Sequence, residues 1–159
     1  MDFCGVFRLS PDGEELTLLA DDFARPNGLA FSPDEGLLYI KDTERMHIRV
    51  FQVQQDGGIA DGRVFADVQG DGDAGRPDGL KVDRQGNVYC TGPGGIWVFD
   101  QQGDHLGTIS VPKKATNFAW GGRDWKSLFI TCFLIIENIN CCYNVSYLLD
   151  NLIYILNYS

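Results

Sequence analysis

A repeated pattern of short strands constrains the fold of this chain more than any other feature of its sequence. Three segments, at residues 26–43, 77–93 and 115–132, share one layout and recur at intervals of about 40–50 residues. Each begins with alternating apolar residues, continues through a turn rich in Gly, Asp or Asn, and resumes in an apolar run that carries an aromatic residue. Because alternation bounded by turn residues is typical of β-hairpins, we expect antiparallel strands rather than helices.

Further strands extend each repeat to a unit of about four. Apolar runs at residues 48–53 and 95–100 follow the second strand of the first two repeats, and residues 5–9 have the same pattern. Further predicted strands follow these runs at residues 16–19, 63–65 and 106–109. Four-stranded units at this period are typical of β-propeller blades, which bury their apolar faces on one another around a central channel. The predicted fold class is therefore all-β, with a partial propeller of about three blades in residues 1–132. Complete propellers usually have four to eight blades.

The composition changes abruptly after residue 132. All 19 glycines, all 6 prolines and all 13 lysines and arginines precede that point, and residues 133–159 are rich in Ile, Leu, Asn and Tyr. We therefore divide the chain into a propeller segment, 1–132, and a divergent apolar, Asn-rich tail, 133–159, which we do not expect to belong to the same fold. Glu137 and Asp150 interrupt the apolar runs of the tail, which argues against a membrane span.

Charge and cysteine content limit the classes of partner. The formal net charge is −9, which disfavours nucleic acid and anionic membranes, because a phosphate backbone selects a basic face. The 5 cysteines form no CxxC pair, as expected of reduced thiols, and no signal peptide is recognisable. These features predict a cytoplasmic protein. With His47 and His105 as the only histidines, a His-rich zinc site is not expected.

Three stretches of the sequence carry a family resemblance. They read ARPNGLAFSPDEGLLYI from residue 24, RPDGLKVDRQGNVYCTGPGGIWVFD from residue 76, and NFAWGGRDWKSLFITC from residue 117. Together they resemble the SMP-30/gluconolactonase/luciferin-regenerating-enzyme family, in the family's order and almost without interruption from about residue 5 to 132. The resemblance implies a six-bladed propeller with a divalent cation, commonly calcium, at the mouth of the channel. Many members hydrolyse sugar lactones.

The resemblance also implies two metal ligands in this chain, Asn27 and Asp78. In the family, a Glu from the first blade, the Asn of a Pro-Asn-Gly element and the Asp of a Pro-Asp-Gly element hold the cation. Oxygen ligands of this kind suit Ca²⁺, with Zn²⁺, Mn²⁺ or Mg²⁺ as alternatives. Gly28 and Gly79 would permit a close backbone approach beside each ligand. The competing interpretation is that Asn27 and Asp78 merely form turns, as Asx residues before Gly often do.

In the implied mechanism the cation polarises the lactone carbonyl while water attacks. Asp78 serves as ligand and as base toward that water, and Asn27 as a neutral ligand. The first-blade Glu and the family's substrate-binding Arg and Asn have no counterpart in these 159 residues. Substrate-binding residues are therefore unassigned, and we expect this chain alone to be inactive or weakly active, which leaves its status as an enzyme open.

Two other functions remain open. One is phosphotriester hydrolysis at the same metal site. The other is a non-catalytic fragment that binds a metal or a partner, with self-association through its open blade faces.

Other motifs are weaker as functional candidates. The acidic segment 70–75 fails the EF-hand template and is expected to be a flexible loop. Asp42 and Thr43 end a strand and are candidates to line the channel. Trp97, Trp120 and Trp125 are expected to pack between blades rather than to bind sugar.

Overall fold

The computed structural model describes residues 3–70 and 75–133, together with the backbone of residues 141–144. This part of the chain contains strands and turns and no helix, so it holds no helix that could cross a membrane. The strands, in chain order, are β1 (Cys4–Leu9), β2 (Leu16–Phe23), β3 (Pro26–Phe31), β4 (Leu37–Asp42), β5 (His47–Val53), β6 (Ile59–Asp67), β7 (Leu80–Val82), β8 (Val88–Gly92), β9 (Gly95–Phe99), β10 (His105–Ser110), β11 (Lys114–Gly121), β12 (Ser127–Phe133) and β13 (Cys141–Asn144).

The strands form four antiparallel sheets, each a simple meander in chain order. Two sheets are complete four-stranded blades, β3–β4–β5–β6 and β7–β8–β9–β10. β1–β2 forms a two-stranded sheet before them, and β11–β12–β13 a three-stranded sheet after them. Consecutive first strands lie side by side, because β3 contacts β7 and β7 contacts β11. The predicted all-β, partial propeller is confirmed.

Aspartate side chains close the turns between strands. Asp83 Oδ1, for example, accepts hydrogen bonds from the backbone N–H groups of Gln85 and Asn87, both at 2.9 Å, in the turn that joins β7 to β8. Asp100 makes the same pair of bonds to Gln102 and Asp104 between β9 and β10. Such Asx turns explain why Asp and Gly cluster at regular intervals in the sequence.

The core lies between the blades, as expected of a propeller. Alternate residues of a strand face opposite neighbours: on β4, Ile40 packs toward β1–β2, whereas Tyr39 packs toward the blade β7–β10. A separate apolar cluster joins that blade to β11 and β12. Trp97 and Trp120 pack in these interfaces as predicted, but Trp125 is 69% exposed, so the prediction was wrong for that residue.

The sheet β1–β2 leaves one apolar face uncovered by the described residues. Phe7 pairs with Leu18 and Leu9 with Leu16 across the two strands, and all four side chains are exposed. The opposite face of the same sheet is buried, with Val6 packed against the first complete blade. We call the first set of four residues the open apolar face.

Two of the sequence expectations fall mainly on residues outside the described part. In the acidic loop 70–75, residues 71–74 are not described. In the tail 133–159, the structure describes Phe133 and the backbone of β13, which pairs with β12. The division of the chain at residue 132 therefore stays a prediction.

Candidate metal centre

The structure brings Asn27 and Asp78 together although they are far apart in sequence. Asn27 is the second residue of β3, and Asp78 lies just before β7. The Asn27 side chain donates a hydrogen bond from Nδ2 to Asp78 Oδ1 at 3.1 Å. Asn27 is exposed and Asp78 is partly buried, so both side chains are accessible at the ends of adjacent inner strands.

The glycine after each of these residues allows neighbouring inner strands to meet. A Cβ atom on Gly28 would lie 2.6 Å from the carbonyl oxygen of Asp78, and one on Gly79 would lie 2.8 Å from Cα of Asn117. Neither glycine has a positive φ. The motif therefore serves close packing of strands rather than a tight turn, and the turn interpretation fails for Asn27, which lies within β3.

Two buried threonines fix the backbone around the pair. Thr43 Oγ1 donates to the carbonyl oxygen of Pro77 at 2.9 Å and lies 3.3 Å from Asn27 Nδ2, which donates to it. Thr91 Oγ1 accepts hydrogen bonds from the backbone N–H groups of Asp78 at 2.7 Å and Gly79 at 3.1 Å. The Thr43 hydroxyl joins two blades, and the Thr91 hydroxyl fixes the backbone at Asp78. Together they hold the Asn27–Asp78 pair in a defined geometry.

Asp42 has a structural role instead of a place in the channel. Its carboxylate is fully buried and accepts hydrogen bonds from the backbone N–H groups of Ala24 at 2.7 Å and Arg25 at 3.0 Å, and of Glu44 and Arg45. Burial alone would raise the pKa of Asp42, but these N–H groups and the Arg45 guanidinium lower it below its ordinary value. Of the two candidates at the end of this strand, only Thr43 lines the pocket.

The Asn27–Asp78 pair opens into a pocket of about 410 Å³. A volume of this size is typical of small-molecule sites. Its lining residues are Arg25, Asn27, Thr43, Arg76, Pro77, Asp78, Lys114, Ala115, Thr116 and Phe133. Three of these are cations and one is a carboxylate, which is a surprising balance in an acidic protein.

A buried lysine lies behind the pocket. Lys41, on β4, is fully buried, and its Nζ atom has no hydrogen-bond partner among the described residues. Burial lowers the pKa of Lys41 to about 8, against smaller opposing influences of Cys90 and Asp78. The Cys90 thiol is buried as well, and burial raises its pKa to about 12, so it does not act as a nucleophile near neutral pH.

The residues present make up part of a cation site. Within residues 3–70 and 75–133, no three His, Cys, Asp or Glu side chains come together as a metal centre. Asn27 and Asp78 supply one amide and one carboxylate, whereas Ca²⁺ takes six to eight oxygen ligands. The Asn27 amide turns its nitrogen toward Asp78 here, so it would have to turn over to bind a cation through its oxygen. The pair fits two positions of an oxygen-rich site whose remaining ligands must come from elsewhere.

Sequence reasoning missed several residues of this site. Thr91 and the three cations Arg25, Arg76 and Lys114 were not predicted. Each cation nevertheless stands at an equivalent repeat position, four residues before Leu29, Leu80 and Phe118, respectively. Lys41 interrupts the apolar run LLYIKD, which was the available signal for an unusual buried charge.

Blades in meander order, with a polar pocket at the ends of their inner strands, define a partial β-propeller. The chain belongs to the SMP-30/gluconolactonase/LRE-like family, whose model matches residues 2–133. The family resemblance seen in the sequence is thereby confirmed.

Individual relatives agree with this assignment. A gluconolactonase of Zymomonas mobilis is 38% identical over 138 residues, which is 82% of this chain and 38% of the relative. The solved structure of a gluconolactonase from Xanthomonas campestris is 41% identical with a TM-score of 0.73, and covers 83% of this chain and 42% of that one. A calcium-binding protein, regucalcin, from Agrobacterium tumefaciens is 26% identical with a TM-score of 0.71, covering 84% and 46%. The chain thus spans less than half the length of these relatives.

Proposed function

We propose that this chain is part of a divalent-cation-dependent hydrolase of sugar-type lactones. The observation that carries the proposal is the Asn27–Asp78 pair, in which Asn27 Nδ2 lies 3.1 Å from Asp78 Oδ1 although the two residues belong to different blades. The names of the relatives support the substrate class, since several are lactonases of sugar acids. The likeness to regucalcin, a calcium-binding protein, supports Ca²⁺ as the first cation to test, before Zn²⁺, Mn²⁺ or Mg²⁺.

Each side chain has a distinct role in this proposal. A bound cation would supply Lewis-acid polarisation of the lactone carbonyl and a more acidic water. Asp78 offers a carboxylate oxygen as ligand and accepts the proton of the attacking water at that carboxylate. Asn27 offers its amide oxygen to the cation without adding negative charge. Thr43 and Thr91 hold the two residues in position through hydrogen bonds to the backbone of Pro77 and Asp78.

This chain alone is expected to turn over lactones at or near the background rate. Its described residues offer two of the ligand positions, and the pocket contains three cations that oppose a divalent ion. Because Ca²⁺ takes six to eight oxygen ligands, two ligand positions alone are expected to hold the ion weakly.

A chimera tests the function directly. Residues 3–133 would replace the matching segment of the Zymomonas gluconolactonase, and hydrolysis of glucono-δ-lactone would be followed with Ca²⁺ and after chelation. We expect turnover in the chimera that falls at least a hundredfold with Asp78→Ala. Asp21→Ala, at an exposed acid remote from the pocket, is the control and leaves the rate within twofold.

Two results would contradict the proposal. One is a chimera that melts cooperatively but hydrolyses no lactone. The other is turnover by the 159-residue chain that Asp78→Ala leaves unchanged.

The open apolar face favours a second, non-catalytic role, in which copies of the chain associate through it. Phe7, Leu9, Leu16 and Leu18 expose a contiguous apolar surface on one sheet, and such surfaces mark interaction sites. This alternative concerns assembly and is tested by the mass of the protein in solution.

A further inference from the structure

Three cations occupy the same position in three successive sheets. Arg25 precedes Pro26-Asn27, Arg76 precedes Pro77-Asp78, and Lys114 precedes Ala115-Thr116. Each cation is therefore two residues before a residue that lines the pocket: Asn27, Asp78 and Thr116, respectively. All three line the same cavity beside Asn27 and Asp78. We call Arg25, Arg76 and Lys114 the cationic collar.

The collar has few carboxylate partners among residues 3–70 and 75–133. Of these described residues, Asp78 is the one carboxylate that lines the cavity with the three cations. Within the described part of the chain, Arg25 and Lys114 have no ion-pair partner, and Arg76 pairs with Glu44 at 3.4 Å where both side chains are more than half exposed. An exposed pair of this kind contributes little, typically under about 1 kcal/mol. The described residues that line the cavity thus carry a net positive charge, whereas the whole protein has a net charge of −9.

The backbone beneath the collar is held firmly while the side chains stay available. The Arg25 N–H donates to the buried Asp42 carboxylate at 3.0 Å, and the Arg25 carbonyl accepts from the Thr43 N–H at 3.0 Å. Next to Arg76, the Pro77 carbonyl accepts the Thr43 hydroxyl. A fixed backbone with unpaired cations lowers the ordering needed to bind an anion.

We propose that the cationic collar binds the oxyanion group of a small sugar acid whose polyhydroxy body lies over the Asn27–Asp78 pair. This inference rests on the proposed function and narrows its ligand class to anionic sugars. Guanidinium groups bind carboxylate, phosphate and sulfonate oxygens through paired, charge-assisted hydrogen bonds. The oxyanion has two sources: the carboxylate that ring opening creates, or an anionic substituent already present on the lactone.

Calorimetry with three probes separates these sources from each other and from neutral sugar binding. D-gluconate carries the carboxylate, glucose 6-phosphate carries an anionic substituent on a closed ring, and glucose carries neither. We expect the 159-residue protein to bind at least one of the two anions at least tenfold more tightly than glucose. Tighter binding of gluconate indicates product carboxylate recognition, and tighter binding of glucose 6-phosphate indicates a substituent on the substrate.

Variants assign the binding to the collar. Arg25→Gln and Lys114→Gln each remove one charge and should weaken anion binding at least fivefold, whereas Arg25→Lys keeps the charge and should weaken it less. Arg84→Gln is the matched control, because Arg84 is exposed in the turn between β7 and β8 and does not line the cavity. It should change affinity less than twofold. Thermal melts of every variant confirm that the fold is retained.

Three results would overturn the inference. Glucose could bind as tightly as both anions, neither anion could bind the folded protein, or Arg84→Gln could weaken binding as much as Arg25→Gln. The outcome is distinguishable from failure of the proposed function. Anion binding that depends on Arg25 and Lys114, together with a folded chimera that hydrolyses no lactone, would retain the collar and reject the hydrolase.

Discussion

At the scale of single residues, two buried charges on β4 have opposite consequences. Asp42 is fully buried but satisfied by four backbone N–H groups and the Arg45 guanidinium. Lys41, its neighbour, is fully buried and has no hydrogen-bond partner among the described residues. A satisfied buried charge organises its surroundings, whereas an unsatisfied one destabilises the folded state.

Asp42→Ala should therefore destabilise the protein. The substitution leaves the N–H groups of Ala24 and Arg25 without their acceptor, at a cost of about 3 kcal/mol in the free energy of unfolding. Urea denaturation measures the change. Asp34→Ala removes an exposed turn carboxylate that accepts from the Gly36 N–H, and should cost much less than Asp42→Ala. Equal losses in the two variants would argue against a special role for Asp42.

Lys41 predicts an unusual dependence of stability on pH. Its pKa is lowered from 10.5 in the unfolded chain to about 8 in the fold, so between these values the unfolded state binds more protons. Stability should rise as the pH increases from about 8 to about 10.5. Lys41→Met removes the group and should flatten that rise, as measured by urea denaturation across the interval. A rise that persists in Lys41→Met would show that another group is responsible.

At the scale of strands and sheets, the inner strands determine where the site forms. β3 approaches the backbone of Asp78 so closely that only glycine fits after Asn27, and β11 approaches the same segment so closely that only glycine fits after Asp78. These contacts align the starts of the strands, so residues at equivalent repeat positions meet at one cavity. The site thus follows from the register between blades rather than from a loop.

Gly79→Ala should disturb that register. The added Cβ would meet Cα of Asn117 at 2.8 Å and the carbonyl oxygen of Thr116 at 3.0 Å, which are backbone atoms that cannot rotate away. Overpacking of this kind costs about 1–3 kcal/mol. Thermal unfolding checks the prediction, with Gly36→Ala as the control, since its nearest neighbour lies at 3.5 Å. A Gly79→Ala protein as stable as the Gly36→Ala protein would contradict the close approach.

Much of this element-level organisation was predictable from sequence. Alternation and turn residues located β1 to β12, because strand period and Asx turns are local properties. The pairing of Asn27 with Asp78 was predicted from the family resemblance and from their equivalent repeat positions. The sequence did not predict that Arg25 and Lys114 line the cavity, that Lys41 is buried or that Trp125 is exposed. Burial and convergence depend on how blades pack against one another, which local sequence patterns do not specify. β13 was missed as well, since the tail has no repeat to compare.

At the scale of the whole molecule, the described residues form part of a ring with one apolar side exposed. The open apolar face presents two cross-strand pairs of large side chains to solvent. The chain spans 38–44% of the length of its first three curated relatives. Both observations agree with the partial propeller that the described sheets form.

The 159-residue protein should self-associate through this face. Sedimentation velocity should show a mass that increases with concentration, because covering exposed apolar area is favourable. Leu9→Lys combined with Leu16→Lys should shift the protein toward monomer. Trp125→Lys, at an exposed aromatic on the turn between β11 and β12, is the control and should leave the association unchanged. A wild-type protein that remains monomeric at all concentrations would contradict the prediction.

The most direct test of the central claim is calcium binding by calorimetry, on the chain as given and on its Asp78→Ala variant. We predict weak binding, with a Kd of about 10⁻⁴–10⁻³ M, since only one carboxylate and one amide converge and the collar opposes the ion. Asp78→Ala should abolish it, and Asp21→Ala, which removes an exposed acid elsewhere, should not. Calcium binding that survives Asp78→Ala, or no binding by the folded wild-type chain, would contradict the assignment of Asn27 and Asp78 as a cation site.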